Sequence, residues 1–492
     1  MGGGVALLDY NNDGLLDIFL VNSGHLDDPV KLPADFRRRE PRYWNRLYRQ
    51  SPDGSFTDVS EKAGLTGAGT NIYGMGVATG DYDNDGFTDI YVTGYPQNAL
   101  YHNNGDGTFT DVTARAGVRG GGWSASTGFF DYDNDGKLDL FVTRYLDWDI
   151  SHNILCGASF RTYCRPDSFG PVSSLLYHNN GDGTFTDVSV KSGIAAAKGK
   201  SLGIAFNDYD GDGLTDVFVA NDRVEQFLWR NNGDGTFTNK AIEAGVALSD
   251  DGKAYSGMGV DFSDYDNDGR PDVLVTNLAT EIYALYHNDG NGLFSYASLP
   301  TGLGAISSRS SGWGVGWQDF DNDGWKDLFV AQSHVIDNIE RLDPGLRYEE
   351  PPLLARNVGG KLRHVPISGI GPAVGRGAAF GDLGRKGSVD VVMAVLGGAP
   401  VVFRSIRNKN HWLGIDLVGM RSNRDGFGAK VRANEQWAYA SSAGSYLSAN
   451  DKLLHFGLGT AREAQVEIRW PSGSHQVLEH VAADQVLKVR EP

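Results

Sequence analysis

Six short stretches of the chain alternate acidic side chains over nine residues. Asp81, Asp83, Asp85 and Asp89 form one loop, and Asp131, Asp133, Asp135 and Asp139 another. Asp208, Asp210, Asp212 and Asp216 follow, then Asp264, Asp266, Asp268 and Asp272, then Asp319, Asp321, Asp323 and Asp327. The first copy, Asp9, Asn11, Asp13 and Asp17, exchanges one carboxylate for an amide. Oxygen ligands thus stand at positions 1, 3, 5 and 9, with a glycine at position 6 to permit a sharp turn. Hard cations such as Ca2+ take about six to eight oxygens at roughly 2.3–2.6 Å, and these loops supply them. The expectation is about six bound Ca2+.

The remaining positions fit that chemistry. A position 7 that lends only its backbone carbonyl leaves its side chain free to vary, and it holds Leu15, Phe87, Lys137, Leu214, Arg270 and Trp325. Position 4 suits left-handed backbone, with Asn12, Asn84, Asn134, Gly211, Asn267 and Asn322. Position 2 is always aromatic (Tyr10, Tyr82, Tyr132, Tyr209, Tyr265, Phe320), which predicts a packed ring beneath each loop. The competing reading is a set of acidic surface turns without metal, and six copies in one phase weigh against it. An EF-hand is disfavoured, because no Glu stands at position 12 and both flanks read as strands. A seventh copy, from Asp382 to Asp390, has lost two ligands and carries Lys386 at position 5; it is expected to hold no metal.

Each loop joins a glycine-rich apolar strand to a second strand, as Gly74–Gly80 leads through the loop to Ile90–Thr93. A third and a fourth strand follow, joined by turns such as Asn103-Asn104-Gly105-Asp106-Gly107, which read as tight hairpin turns rather than ligands. The loops recur at spacings of 72, 50, 77, 56, 55 and 63 residues. Four strands repeated at about 50 residues mark a propeller blade. The prediction is an all-β chain: a seven-bladed β-propeller over residues 1–405, with calcium-binding loops, followed by a small separate all-β domain over 406–492. Insertions lengthen the first unit at about 23–44 and the third at about 145–172. With nothing ahead of the first strand, the seventh blade is expected to have three strands only.

The chain has 492 residues, 40% hydrophobic and 11% aromatic, with 66 glycines, enough for a large core and many turns. Its formal net charge is −18. The intact loops hold three aspartates in the first and four in each of the other five, 23 in all. Six Ca2+ would bring the charge to about −6, so the acidity is metal-site acidity rather than an acidic tail. No basic stripe suggests nucleic-acid binding, and Arg37-Arg38-Arg39 reads as a solvated loop. No apolar run of 18 residues suggests a transmembrane helix. Cys156 and Cys164 lie eight apart with no metal-ligand partners. A local disulfide in an oxidising compartment is favoured, and two free thiols are the alternative. No signal-peptide pattern precedes Val5.

These motifs resemble a known family. The repeats are similar to the FG-GAP/VCBS repeats of integrin α-type propellers. Asn423-Arg424-Asp425-Gly426, His455-Phe456-Gly457-Leu458-Gly459 and Arg469-Trp470-Pro471-Ser472-Gly473 resemble the ASPIC/UnbV domain. The pairing is that of cartilage acidic protein-like chains. The resemblance implies a calcium-binding, usually exported propeller, and so a secreted, periplasmic or cell-surface protein.

Two functions compete. One is an extracellular binding or adhesion scaffold for a protein, glycan or small-molecule partner. The other is an enzyme of natural-product tailoring type, a role attached to UnbV-type proteins by association. Its site would lie on the propeller mouth opposite the calcium loops, where Arg144, Asp147, Asp222, Arg223, Glu281 and His334 are the candidates. Trp123, Tyr145, Trp148, Asp149, Trp313 and Asp337 gather on the same face. A deep pocket lined by Arg144, Asp222 and His334 would favour the enzyme. His411 and His455 are assigned packing roles.

Overall fold

A computed structural model describes residues 2–24, 40–157, 159–406 and 408–492. Arg37-Arg38-Arg39 and most of the first insertion lie outside the described residues. Strands dominate, as the all-β expectation requires, and fall into nine sheets among the described residues. Seven of these follow one another along the chain. Their first strands are Val5–Leu8, Tyr73–Gly80, Ser124–Phe130, Ser201–Asn207, Val260–Ser263, Gly312–Gln318 and Gly375–Gly381. Each packs against the next, and the seventh packs against the first, so the sheets close into a propeller-like ring. Six sheets carry four successive antiparallel strands, and the seventh carries three.

The register explains how the acidic loops are held. The residue before position 1 pairs with position 9 in every sheet: Leu8 with Asp17, Gly80 with Asp89, Phe130 with Asp139, and so on to Gly381 with Asp390. Each loop is therefore a hairpin connection, and the ninth-position carboxylate opens the second strand. Position 4 is left-handed in all six intact loops, for example Asn84 at φ 59° and Gly211 at φ 79°. The second-position rings are packed as expected, each on the fourth-strand Phe of the next sheet in four cases: Tyr10 on Phe109, Tyr82 on Phe185, Tyr132 on Phe237 and Tyr209 on Phe294.

Neighbouring sheets are also stapled by amides. Asn103, Asn179, Asn231, Asn288 and Asn357 lie at or near the ends of third strands, and each donates its side-chain amide to the second-position carbonyl of the preceding loop. Asn179 also donates its backbone N–H to Asp139 Oδ1 at 2.8 Å and its amide to Leu138 O at 2.9 Å. Asn179→Ala keeps the backbone bond to Asp139 but leaves the buried carbonyls of Tyr82 and Leu138 without this donor, so it is expected to cost about 3 kcal/mol, against under about 1 kcal/mol for the exposed neighbour Asn180→Ala. Urea denaturation in 1 mM calcium measures the difference.

Residues beyond 406 build two further sheets. One holds His411–Val418 between Leu454–Gly459 and Gln485–Arg490; the other runs Gln436–Tyr439, Lys430–Ala433, Glu463–Arg469, His475–Ala482. They sit over the acidic loops. Asp425 accepts the backbone N–H of Asp81, Thr215 bonds Tyr439, and Lys430 reaches Gly269 O. From there residues 443–449 leave their own sheets and enter the ring. Ala449 pairs with Ala6 in parallel, and Val260 pairs with Ser445. The first strands of the ring are irregular where this segment passes, with register shifts at Gly74/Val77, Gly312/Val315 and Gly375/Ala378. Such bulges leave backbone groups without ladder partners. The segment supplies partners: Leu447 O accepts from Val77 N, Ser445 O from Val260 N, and Ser445 Oγ from Val315 N. Tyr446 and Leu447 are fully buried among Met75, Ala125, Leu202, Met258 and Trp313, each the inner residue of one first strand or its approach.

Candidate functional sites on the two faces of the ring

The carboxylate loops share one internal wiring. The position-1 carboxylate accepts the N–H groups of positions 5 and 6, as Asp81 does from Asp85 and Gly86 at 2.9 and 2.8 Å. The position-5 carboxylate accepts the N–H of position 7, as Asp85 does from Phe87. The position-9 carboxylate accepts from position 2 and from the end of the third strand, as Asp89 does from Tyr82 and Asn103. Positions 1, 3 and 5 then converge: the side chains of Asp81, Asp83 and Asp85, and of Asp131, Asp133 and Asp135, bring oxygens within 4.8 Å of one another.

Burial sets their electrostatics. Desolvation pushes Asp139 up to about 6, Asp17, Asp89, Asp131, Asp272 and Asp319 to about 7, and Asp81 and Asp327 to about 8. Carboxylates gathered and desolvated in this way call for a cation. The donors fit a hard one: they are all oxygens, and the buried Oδ1 atoms of Asp266 and Asp321, both at position 3, have no hydrogen-bond partner. A basic side chain on the third strand, which the sequence reading did not connect to the loops, partly answers the charge. His102, His178 and His287 lie 3.2–3.3 Å from the ninth-position carboxylates of loops 2, 3 and 5. Arg230 bridges Asp210 and Asp212, and Arg356 bridges Asp321 and Asp323, at 2.6–2.8 Å. The signal was present in sequence as the triplet Leu-Tyr-His at three third strands, with Leu228-Trp229-Arg230 and Leu354-Ala355-Arg356 in the same place at two others.

The loops are also tied to one another. The fourth-position amide donates to the sixth-position carbonyl of the next loop: Asn12 to Gly86, Asn84 to Gly136, Asn267 to Gly324, Asn322 to Gly387. In the degraded seventh copy Arg385 takes the fourth position, left-handed at φ 49°, and its guanidinium reaches Gly14 O of the first loop. It also pairs with Asp451 at 2.7 Å.

The opposite face carries a cavity of about 510 Å3. Its walls are largely aromatic, including Tyr95, Trp123, Trp148, Phe169 and Tyr348. The second insertion closes over it: Cys156 and Cys164 are disulfide-bonded, with 5.2 Å between Cα atoms, and both line the cavity together with Tyr163. Tyr446 and Leu447 belong to the same apolar cluster as these walls, so the threaded segment underlies the floor.

The six mouth candidates stand around this cavity and are not among its lining residues. Asp222 is buried, accepts the hydroxyl of Tyr145 at 2.6 Å, and is pushed up to about 6 by desolvation. Glu281 accepts Ser256 N–H, and burial raises it too. Arg223 pairs with Asp167 at 3.2 Å. Asp147 accepts Gly170 N–H. Arg144 is half-buried beside Gly122. His334 is buried, accepts the N–H of Ile336, and is lowered to about 4 by desolvation. Trp123, Tyr145, Trp148 and Asp337, which the sequence grouped with them, do line the cavity. His411 pairs with Asp484, and His455 stacks on Trp412 and bonds Asn322. Arg376, missed from sequence, also lines the cavity.

Comparison with known proteins matches the same stretches. Residues 9–92, 81–142, 168–219, 208–275 and 264–330, together more than half of the chain, match the FG-GAP-like repeat. Residues 419–492 match ASPIC and UnbV. Cartilage acidic protein 1 of Homo sapiens is 26% identical over 324 residues, 62% of this chain and 46% of that protein; the Mus musculus protein is 26% identical over 327 residues, 62% and 47%. The chain spans about half the length of the curated relatives it matches. Among solved structures, the BP39L lectin from Burkholderia pseudomallei aligns at TM-score 0.46 and 13% identity over 83% of this chain and 97% of that one. Rhamnogalacturonan lyase YesW aligns at 0.41 and 11% over 83% and 72%. With repeats and C-terminal region both matched, the chain belongs to the FG-GAP-like repeat family and carries an ASPIC and UnbV domain at its C-terminal end.

Proposed function

We propose that the protein is a calcium-loaded binding scaffold working outside the cytoplasm, presenting the face opposite its acidic loops to a glycan, protein or small-molecule partner. The observation that carries the calcium reading is the convergence of the position 1, 3 and 5 carboxylates in loops whose other bonds are already fixed by backbone. Asp9, Asn11, Asp13 and Asp17 would serve the first ion, and the corresponding residues of the other five loops the rest, with the carbonyls of Leu15, Phe87, Lys137, Leu214, Arg270 and Trp325 at position 7. The Cys156–Cys164 disulfide supports an oxidising location, where external calcium at about 1 mM keeps sites of moderate affinity filled. Binding is preferred over catalysis because the acid–base candidates stand outside the cavity and are spent on internal hydrogen bonds.

Metal analysis after desalting from 1 mM calcium tests the reading. Five or six calciums per chain are expected, and fewer than two would overturn it. Calorimetric titration should resolve distinct classes of site. Loop 2, whose position-3 and position-5 carboxylates carry no Lys or Arg pair among the described residues, fills ahead of loops 3 and 5, where Lys137 and Arg270 pair with the position-5 carboxylates. Loops 4 and 6 fill later, because Arg230 and Arg356 must first release the oxygens they bridge.

A further inference from the structure

The inner residue near the start of each first strand follows a pattern around the ring: Gly3, Met75, Ala125, Leu202, Met258, Trp313 and then Arg376. Six are apolar or small and the seventh is a guanidinium. Arg376 is 1% exposed. It lies over the Trp313 ring at 4.2 Å. All its partners are neutral: Gly375 O at 3.0 Å, His334 O at 3.3 Å, and the Ser333 hydroxyl. Its Nε has no partner, and no carboxylate lies within ion-pairing distance among the described residues. Glu350, whose field reaches it, does not pair with it; it accepts Ser311 N–H, and burial pushes its carboxyl up to about 8. A buried charge left without a counter-charge is costly, and a fold that keeps one at a cavity wall gains when an anion arrives there.

The rest of the cavity says what kind of anion. Trp148 packs at 4.9 Å from Tyr95 and 5.5 Å from Trp123, so flat rings line the approach. Trp123 Nε1 and Thr162 Oγ1 are further buried polar atoms of the same wall without partners, both able to donate to oxygen. A volume of about 510 Å3 lies within the range of small-ligand pockets. The other charged side chains of the wall, Arg161 and Asp337, are one of each sign, so Arg376 leaves the lining with one net positive charge, which repels a cationic ligand and matches a single negative charge better than several.

We propose that this cavity binds a ring-bearing monocarboxylate, its ring stacked on the Trp123–Trp148 wall and its carboxylate directed to Arg376. The inference deepens the binding reading above by naming a ligand class, and it does not depend on which metal fills the loops. Two sources share this chemistry, an acidic sugar and an aryl carboxylate, since both a pyranose face and an aromatic ring stack on indole.

Tryptophan fluorescence titration of the full chain in 1 mM calcium distinguishes them with two matched pairs: methyl β-glucuronide against methyl β-glucoside, and phenylacetate against 2-phenylethanol. In at least one pair the carboxylate is expected to bind roughly tenfold or more tighter than its neutral partner, as a charge-assisted contact to a buried guanidinium gives. The responding pair identifies the source. Arg376→Gln should abolish that preference while Trp148→Ala weakens both members of the pair. If Arg376→Gln does not fold, the acid-over-neutral ratio on the unmodified chain decides by itself. Equal binding of acid and neutral partner, or no response to either acid up to about 10 mM, would overturn the proposal. A failed calcium reading would show instead in the metal count, with the acid preference intact.

Discussion

Removal of calcium with excess EGTA at pH 7.5 is expected to lower the melting temperature by about 16 °C relative to 1 mM calcium. Six sites with dissociation constants near 10 μM each contribute about 2.7 kcal/mol at that concentration. A chain of 492 residues unfolds with an entropy on the order of 1 kcal/mol per kelvin. The loss has a structural route. Loops emptied of cation leave buried carboxylates facing one another, and the same loops hold the C-terminal sheets through Asp81, Asn84, Asn322 and Gly269. A shift below about 3 °C would mean that the loops are turns held by backbone alone.

The pH slope should change sign with the metal. In the apo protein, desolvation raises Asp17, Asp89, Asp131, Asp272 and Asp319 to about 7, against about 4 in an unfolded chain. Between those values the folded state binds more protons than the unfolded one, so stability rises as pH falls from 8 toward 5. With calcium bound the carboxylates must stay ionised, protons compete with the ion, and stability falls over the same range. Thermal melts at pH 8, 6.5 and 5, with calcium and with EGTA, check both signs. Parallel slopes would count against metal binding at these residues.

The second large effect concerns the segment threaded through the ring. Tyr446 is fully buried, with its ring 5.0 Å from that of Trp313. Tyr446→Ala removes a large side chain from a packed centre and is expected to cost about 3–5 kcal/mol. Ending the chain at residue 405 should do more. It bares Met75, Leu202, Met258 and Trp313 together and takes the acceptors from Val77, Val260 and Val315 N–H. The shortened chain should aggregate or unfold below about 37 °C in calcium. A shortened chain that stays monomeric and melts within a few degrees of the full one would show that the ring closes unaided. Chemical denaturation and light scattering make the comparison.

Much of the loop ring was legible because it is local. Glycine at position 6 and asparagine at position 4 report backbone dihedrals that nine residues set by themselves, and the structure holds both left-handed. The aromatic at position 2 announced its packing because every repeat needs the same ring on the next sheet. Repetition likewise exposed the four-strand grammar. The basic third-strand residues His102, His178, Arg230, His287 and Arg356 were visible as a column but had no stated purpose, since their distance to the carboxylates exists only once the third strand lies beside the second.

By itself, then, the sequence determined the all-β class, the repeat, the carboxylate constellations and the family, because each depends on short periodic patterns that a chain must spell out locally. Tertiary structure alone decided the use of residues far apart in the chain. Residues 443–449 read as part of a C-terminal β unit and yet run through the ring, since bulged first strands left N–H groups that only a distant segment could satisfy. Arg376 stands between two glycines in the sequence with nothing to single it out, and became a buried cation at a cavity wall only when seven first strands brought their inner positions together. Burial and convergence are properties of the closed ring, and no single repeat contains them.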